Sequence, residues 1–347
     1  MSRAQSVKTL NPTSGIPGGE VIVEYQKISA DLLKRLEVRF AGAPAHLVSA
    51  NRTRAVAIIP EMATDGAVQI TIDGDPADKP GTGGVDFILA RQLAGNLHPV
   101  ANPAFNPADG ALFVTRSGSR GEHVPVSLYR IDSKGTIEDF SGDIMNPTSV
   151  AFDRTGRMFV TSRFDGTIYR ITSDREVVAF ASDVGVATGL AFNRDGQMFV
   201  GDRSGTIYRV NEIGEVQPWA QHEPSVSAYH LAFGPDDKLY VTGPTVSSFD
   251  SIIRFDQAGN PSEFFRGLGR PQGLAFDAAG SLYVAAALRG RRGIVKISPD
   301  ASNVELFVAG MNLVGVAFGP QGEMIVATND ALYSLPLGIS GALLSQA

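Results

Sequence analysis

The 347-residue sequence contains no cysteine, which removes disulfides, thiolate metal sites and cysteine nucleophiles from its chemistry. It also lacks a membrane-spanning run. Its most apolar stretch, LFVAGMNLVGVAF at 306–318, is interrupted by Asn312 and falls short of the ~20 residues a bilayer helix needs. Basic excess is missing as well: 30 Lys and Arg stand against 36 Asp and Glu, a net charge of −6. A phosphate backbone or anionic membrane calls for clustered Lys and Arg, so neither nucleic acid nor membrane insertion is expected. The opening MSRAQSVKTLNPTSG has no apolar signal core; as it stands the chain reads as cytoplasmic, and an exported form would have lost a leader. Nowhere is there a Gly-x-Ser-x-Gly elbow, a Walker loop or a His-Glu-x-x-His pair, which excludes the commonest hydrolase, nucleotide-binding and metalloprotease signatures.

What is present is turn-forming and alternating. The 38 glycines and 20 prolines imply many turns, and 43% hydrophobic with 19% charged residues is the balance of a folded soluble chain. The first ninety residues hold short period-two runs, VIVEY (21–25), LEVRF (36–40), AVAIIP (55–60) and AVQITI (67–72), which read as half-buried strands of a small β-sandwich. One interruption, SADLLKRL at 29–36, reads as a one- or two-turn helix capped by Ser29. The segments NPTSGIPGGEVIVEY, VRFAGAPAHLVSANRTRAVAIIP and GAVQITIDG resemble, in order, an IPT/TIG domain. That resemblance implies an immunoglobulin-like sandwich over about 1–90, used as a binding module or a spacer.

Beyond residue 97 the pattern changes to a repeat. NPAFNPADGALFVT, SVAFDRTGRMFVT, GLAFNRDGQMFVG, HLAFGPDDKLYVT, GLAFDAAGSLYVA and GVAFGPQGEMIVA place their Ala-Phe phenylalanines at 105, 152, 192, 233, 276 and 318. Steps of 47, 40, 41, 43 and 42 residues are the period of a four-stranded propeller blade. The sequence therefore predicts an all-β chain: an immunoglobulin-like β-sandwich followed by a six-bladed β-propeller over 91–347, with blades at about 98–144, 145–185, 186–226, 227–269, 270–311 and 312–347. Ala104, Ala151, Ala191, Ala232, Ala275 and Ala317 are small enough for the taper near the axis. Two segments compete to close the last blade. The tail SGALLSQA continues the eleven-residue spacing from Tyr333 to Leu344, whereas Leu93 lies twelve residues before Phe105. Because 85–90 is needed by the sandwich, the tail is the expected closing strand.

The repeat is similar to NHL-type and gluconolactonase-like propellers. The latter resemblance implies a calcium or zinc site whose Asn and Asp stand just before the Gly-Leu or Gly-Met of an inner strand. Here those positions hold Ala101, Thr148, Thr188, Tyr229, Gln272 and Val314, with no carboxylate among them, a poor first shell for a hard cation. Thr148, Thr188, Tyr229 and Gln272 instead read as ligand-binding groups, joined on the same rim by Arg203 and by Arg120 and His123 of the long loop SGSRGEHVPV. LRGRRG at 288–293 could grip a carboxylate or phosphate.

A separate acid–base group is conceivable on that face. Asp202 should approach His222, Glu223 and His230, giving imidazoles beside carboxylates. Asp202 has sister residues Ser162, Gly243, Ala286 and Thr328, so the repeat does not require it, although aspartate also suits a turn. Two functions follow. The favoured one is a non-enzymatic binding or scaffold protein, without cofactor, whose rim takes a protein, a carbohydrate or a small ligand. The alternative is a lactonase-like hydrolase or a lyase built on Asp202, His222, Glu223 and His230, with Ca²⁺ or Zn²⁺.

Overall fold

The computed structural model describes residues 6–72, 84–119, 121–132, 134–247 and 249–342. Among these, the chain is almost entirely β, with one helix, Ala30–Leu33. Ser29 caps that turn by accepting the Leu32 N–H at 3.3 Å.

The N-terminal strands alternate as the sequence predicts. Glu20–Tyr25 and Leu36–Phe40 each turn every second residue inward. One sheet runs Val7–Asn11, Glu20–Tyr25, Arg54–Ile58, His46–Ala50; a second runs Ser14–Gly15, Val85–Leu89, Gly66–Ile72, Leu36–Phe40, Ala43–Pro44. Val21, Val23, Val38, Phe40, Val68 and Phe87 from the two sheets share one core.

The remainder is built from antiparallel four-stranded units. Their inner strands are Ala104–Phe105, Pro147–Phe152, Ala187–Phe192, His230–Phe233, Leu274–Phe276 and Leu313–Phe318. Each inner strand touches the next, and the last returns to the first. What locks neighbouring units is a recurring trio of aromatic rings. The second strand supplies one ring, the outer strand of the same unit another, and the Ala-Phe phenylalanine of the following unit the third. Phe113 meets Phe140 at 4.9 Å and Phe152 at 5.4 Å; Phe159 meets Phe180 at 5.1 Å and Phe192 at 5.6 Å. Phe199, Trp219 and Phe233 repeat the arrangement, as do Tyr240, Phe264 and Phe276 and Tyr283, Phe307 and Phe318. Such edge-on contacts add about 0.5–1.5 kcal/mol each beyond the area they bury.

The last unit is closed differently from the expectation. Its third strand, Leu332–Leu335, pairs with Arg91–Ala94 through Arg91↔Ser334, Gln92↔Tyr333 and Ala94↔Leu332, so an N-terminal strand, not the tail, completes it. As far as Ala342 the tail runs elsewhere: Ala278 N–H donates to the Ser340 carbonyl, Ala342 N–H to that of Phe276, and Ile339 N–H to that of Gly322; Leu344 lies outside the described residues. The objection that 85–90 was already in use fails because Val85–Leu89 and Arg91–Ala94 follow one another across Ala90 alone. One extended segment serves both halves of the chain.

That segment is not the only bond between them. Ser14–Gly15 lies parallel to both Val304–Ala309 and Val85–Leu89, carrying one continuous sheet across the seam. Ile16 N–H donates to the Ala309 carbonyl at 2.9 Å and Ser14 Oγ to that of Phe307 at 2.9 Å. Glycine is required here, since a Cβ on Gly15 would stand 2.5 Å from Ile59 Cδ1 and 2.9 Å from the Ala309 oxygen. The LRGRRG hairpin adds a clamp: Arg291 donates to the carbonyl and the side-chain oxygen of Asn11, both at 2.8 Å. Gly15→Val should cost about 2 kcal/mol through overpacking, read as a lower urea midpoint with one transition retained. Two separated transitions in the wild-type protein would show that the seam does not couple the halves.

Candidate functional site

The ends of the inner strands and the turns after the second strands are tied together by threonines. Thr115 Oγ1 donates to the Thr148 carbonyl at 3.0 Å, Thr161 Oγ1 to that of Thr188 at 2.6 Å, and Thr242 Oγ1 to that of Gln272 at 2.5 Å. Each bond joins one unit to the next. In the third unit glycine replaces this threonine, and the link is rebuilt: Tyr229 N–H donates to Thr188 Oγ1, which donates to the Gly201 carbonyl. Thr148, Thr188 and Gln272 thus contribute backbone acceptors to the belt. The Thr148 hydroxyl is buried with no partner among the described residues.

Glycine at 201 has a spatial cause. A Cβ there would lie 3.1 Å from Tyr229 Cβ, and one on Gly243 would lie 2.5 Å from the Tyr229 ring. Two backbones therefore make room for one phenol, which is buried and donates to the Glu223 carbonyl. Burial, reinforced by Asp202 and Glu223, raises its pKa far above the ordinary tyrosine value. His222 stacks beside it, with centroids 5.7 Å apart, and burial lowers its pKa against the pull of Glu223.

Asp202 and Arg203 do lie beside this loop. Ser225 N–H donates to the Arg203 carbonyl at 3.1 Å and His222 N–H to that of Gly205 at 2.7 Å. Yet the Asp202 carboxylate is already occupied: Oδ1 accepts Val186 N–H at 2.9 Å and Ser204 N–H at 3.2 Å, and Oδ2 accepts the Ser204 hydroxyl. It is 5% exposed and fastens two loops. Glu223 and Arg203 are exposed.

His230 does not join the group. It opens the strand His230–Phe233, whereas Tyr229 lies in the loop before it, and among the described residues no carboxylate acts on its imidazole. It pairs in register with Thr242, whose hydroxyl reaches the next unit. Its Nε2 is buried without a partner, and burial alone pushes its pKa down to about 4. His123 is exposed on its own loop, which is held at the first two units by Asn146: Gly121 N–H donates to Asn146 Oδ1, and Asn146 Nδ2 to Gly118 and Ser119 carbonyls. Arg120 lies outside the described residues.

Two residues escaped the sequence reading. Asn146 is one. Asn102 is the other: Nδ2 donates to the Leu274 carbonyl at 2.8 Å and Oδ1 accepts Val316 N–H at 3.0 Å, spanning three units. Its signal was an amide at a position that holds glycine in three sister units, Gly189, Gly273 and Gly315, and Ser149 and His230 in the other two. A Cβ on Gly273 would stand 2.0 Å from Asn102 Oδ1.

No family model matches the chain, and no curated protein matches it. Solved structures do. A gluconolactonase from Xanthomonas campestris is 19% identical with a TM-score of 0.60, over 72% of this chain and 90% of that one. The fold is propeller-like. An auxiliary nutrient binding protein from Bacteroides thetaiotaomicron, 13% identical with a TM-score of 0.55, aligns over 96% of this propeller-like chain and 97% of its own. A streptogramin B lyase is 13% identical with a TM-score of 0.53, over 72% and 97%. Among the described residues no group of three or more His, Asp or Glu is placed to hold a metal ion, and no helix is long and apolar enough to cross a membrane.

Removing the Asp202 acceptor strands the Val186 N–H and Ser204, so Asp202→Ala should lose about 1–3 kcal/mol of stability in urea denaturation. The His230 ring resists protonation in the folded state but not in the unfolded chain. Stability is therefore expected to fall as pH drops from about 6.5 towards 4, by about 3 kcal/mol in total. His230→Gln should remove that part of the profile; an unchanged slope would mean that the imidazole titrates normally.

Proposed function

We propose that the chain is a non-enzymatic binding protein: an IPT/TIG-like immunoglobulin sandwich over about 1–90 fused to a six-bladed propeller over 91–347, whose loop face takes a carbohydrate, a protein segment or another small ligand. The observation that carries this reading is the apolar dress of that face. Phe164, Val186, Val226, Val246 and Phe249 are 51%, 38%, 45%, 95% and 60% exposed; Val226 shares the loop of His222, and the loop of Val186 accepts the Arg203 N–H. Val226 N–H donates to the Pro244 carbonyl, which brings its loop beside that of Val246 and Phe249. Grouped large apolar side chains on a soluble surface mark binding sites, and loops positioned by a rigid scaffold carry them.

The occupied carboxylate of Asp202 and the buried, unpartnered Nε2 of His230 count against the hydrolase or lyase reading, as does the belt of hydroxyls and amides where metal ligands would stand. Binders and enzymes both occur among proteins of this fold, so the fold by itself does not choose. The proposed activity needs no cofactor.

A thermal-shift panel of neutral mono- and oligosaccharides and short apolar peptides should contain a compound that raises the melting temperature. Binding at a hundredfold above Kd stabilises by about 2.7 kcal/mol, and a Phe164→Ser, Phe249→Ser double variant should lose most of that shift. Glucono-δ-lactone with added Ca²⁺ or Zn²⁺ should hydrolyse at the uncatalysed rate. Metal-dependent turnover abolished by Asp202→Ala would overturn the proposal.

A further inference from the structure

A groove of about 480 Å³ opens between the second and third units, on the side of the inner-strand hairpins. Its floor is the aromatic trio Phe159, Phe180 and Phe192. The neighbouring groove, between the first and second units, has the same trio in Phe113, Phe140 and Phe152, and there a cation fills the space. The Arg175 guanidinium stands 4.8 Å over the Phe140 ring and bonds Glu138 at 2.5 Å. Two further grooves also place a cation over the outer-strand ring: Arg254 lies 5.8 Å from Phe264, and Lys296 5.4 Å from Phe307. Among the described residues no cation stands over Phe180 or over Trp219; in the Phe180 groove Arg157 lies over the neighbouring ring instead, 5.9 Å from the Phe159 centroid.

The repeat explains why. TSDREV at 172–177 aligns with NEIGEV at 211–216, so Gly214, like Gly135 and Gly259 at the same turn of their units, stands where the second unit has Arg175, and Val178 stands where the first has Glu138. Arg175 and Gly214 have positive φ, 66° and 87°, but a Cβ on Gly214 would stand 2.1 Å from the Phe180 carbonyl oxygen. No side chain of the third unit can cover the ring from that position. The charges around the opening favour a cation. Asp195, Glu212 and Glu215 line it with Arg157 and Arg209, and Arg157 is already paired with Asp153 at 2.5 Å. Among the described residues, three carboxylates are thus left against one guanidinium without an ion pair, that of Arg209.

We propose that this groove binds a small organic cation, an ammonium or guanidinium group seated over Phe180 where Arg175 sits over Phe140. The attraction is that of a cation for the negative face of an aromatic ring, strengthened by partial desolvation in the groove. The site is separate from the loop face and does not depend on what binds there.

Titration of the full-length protein with choline chloride, set against its neutral isostere 3,3-dimethylbutan-1-ol, tests the assignment. Calorimetry should give one choline site, and the Met198 methyl resonance, which reports from the groove wall, should shift with it. Phe180→Leu should weaken choline about tenfold. Glu212→Gln, an exposed change that does not threaten the fold, should weaken it severalfold. Arg175→Ala should uncover Phe140 and add a second, equivalent site. Absence of choline binding, equal binding of the neutral isostere, or an affinity unmoved by both Phe180→Leu and Glu212→Gln would each overturn the proposal.

Discussion

The packing of one strand's aromatic ring between two others is the constraint on which the larger part of this chain rests. A four-stranded antiparallel unit cannot bury both of its faces alone. The Ala-Phe pair solves this twice over: alanine lets inner strands converge, and phenylalanine closes the wedge against the preceding unit. The trio is complete from Phe113–Phe140–Phe152 to Tyr283–Phe307–Phe318, and aliphatic side chains of both units pack around it. The last unit has Ile325 at the ring position, and there closure depends on a strand borrowed from the other end of the repeat, Arg91–Ala94.

The individuality of the protein lies in departures from that repeat. Thr115, Thr161 and Thr242 stitch successive units by one bond each; Gly201, Ala285 and Ala327 stand at the same position of the other three units, and Gly201 admits Tyr229. Asp202, standing where its sisters have Ser162 or Thr328, binds a neighbouring loop rather than presenting a free carboxylate. Arg175 replaces the turn glycine seen at Gly135, Gly214 and Gly259 and covers Phe140, whereas Gly214 leaves Phe180 in an open groove. Each departure is a local change in volume or hydrogen bonding whose effect is confined to one groove or one loop, because the ring of inner strands around it is held elsewhere.

Much of this was legible beforehand. Period-two burial in Glu20–Tyr25 and Leu36–Phe40, the Ser29 cap and the inner strands ending at Phe152, Phe192, Phe233, Phe276 and Phe318 follow from patterns within a dozen residues. The proximity of Asp202 to the 222–230 loop also followed, because loops at the same end of consecutive units must neighbour each other. Less legible was the isolation of His230, whose Nε2 is buried without a partner: a strand's two faces are equivalent in sequence until something fixes which neighbour each one meets. The reach of Asn102 to Leu274 and Val316 and the grip of Arg291 on Asn11 join residues 172 to 280 positions apart, beyond any local signal.

The sequence by itself determined the strands, their turns, the repeat length and the residues that interrupt it, since all of these depend on side-chain period and on glycine or proline at set positions. Which strand completes the last unit, which polar groups are already occupied, and where the two halves meet were decided by the tertiary structure. Strand edges offer the same backbone donors and acceptors to any extended segment. Only the assembled ring, with Ser14–Gly15 seated between Val304–Ala309 and Val85–Leu89, selects the partner that fits.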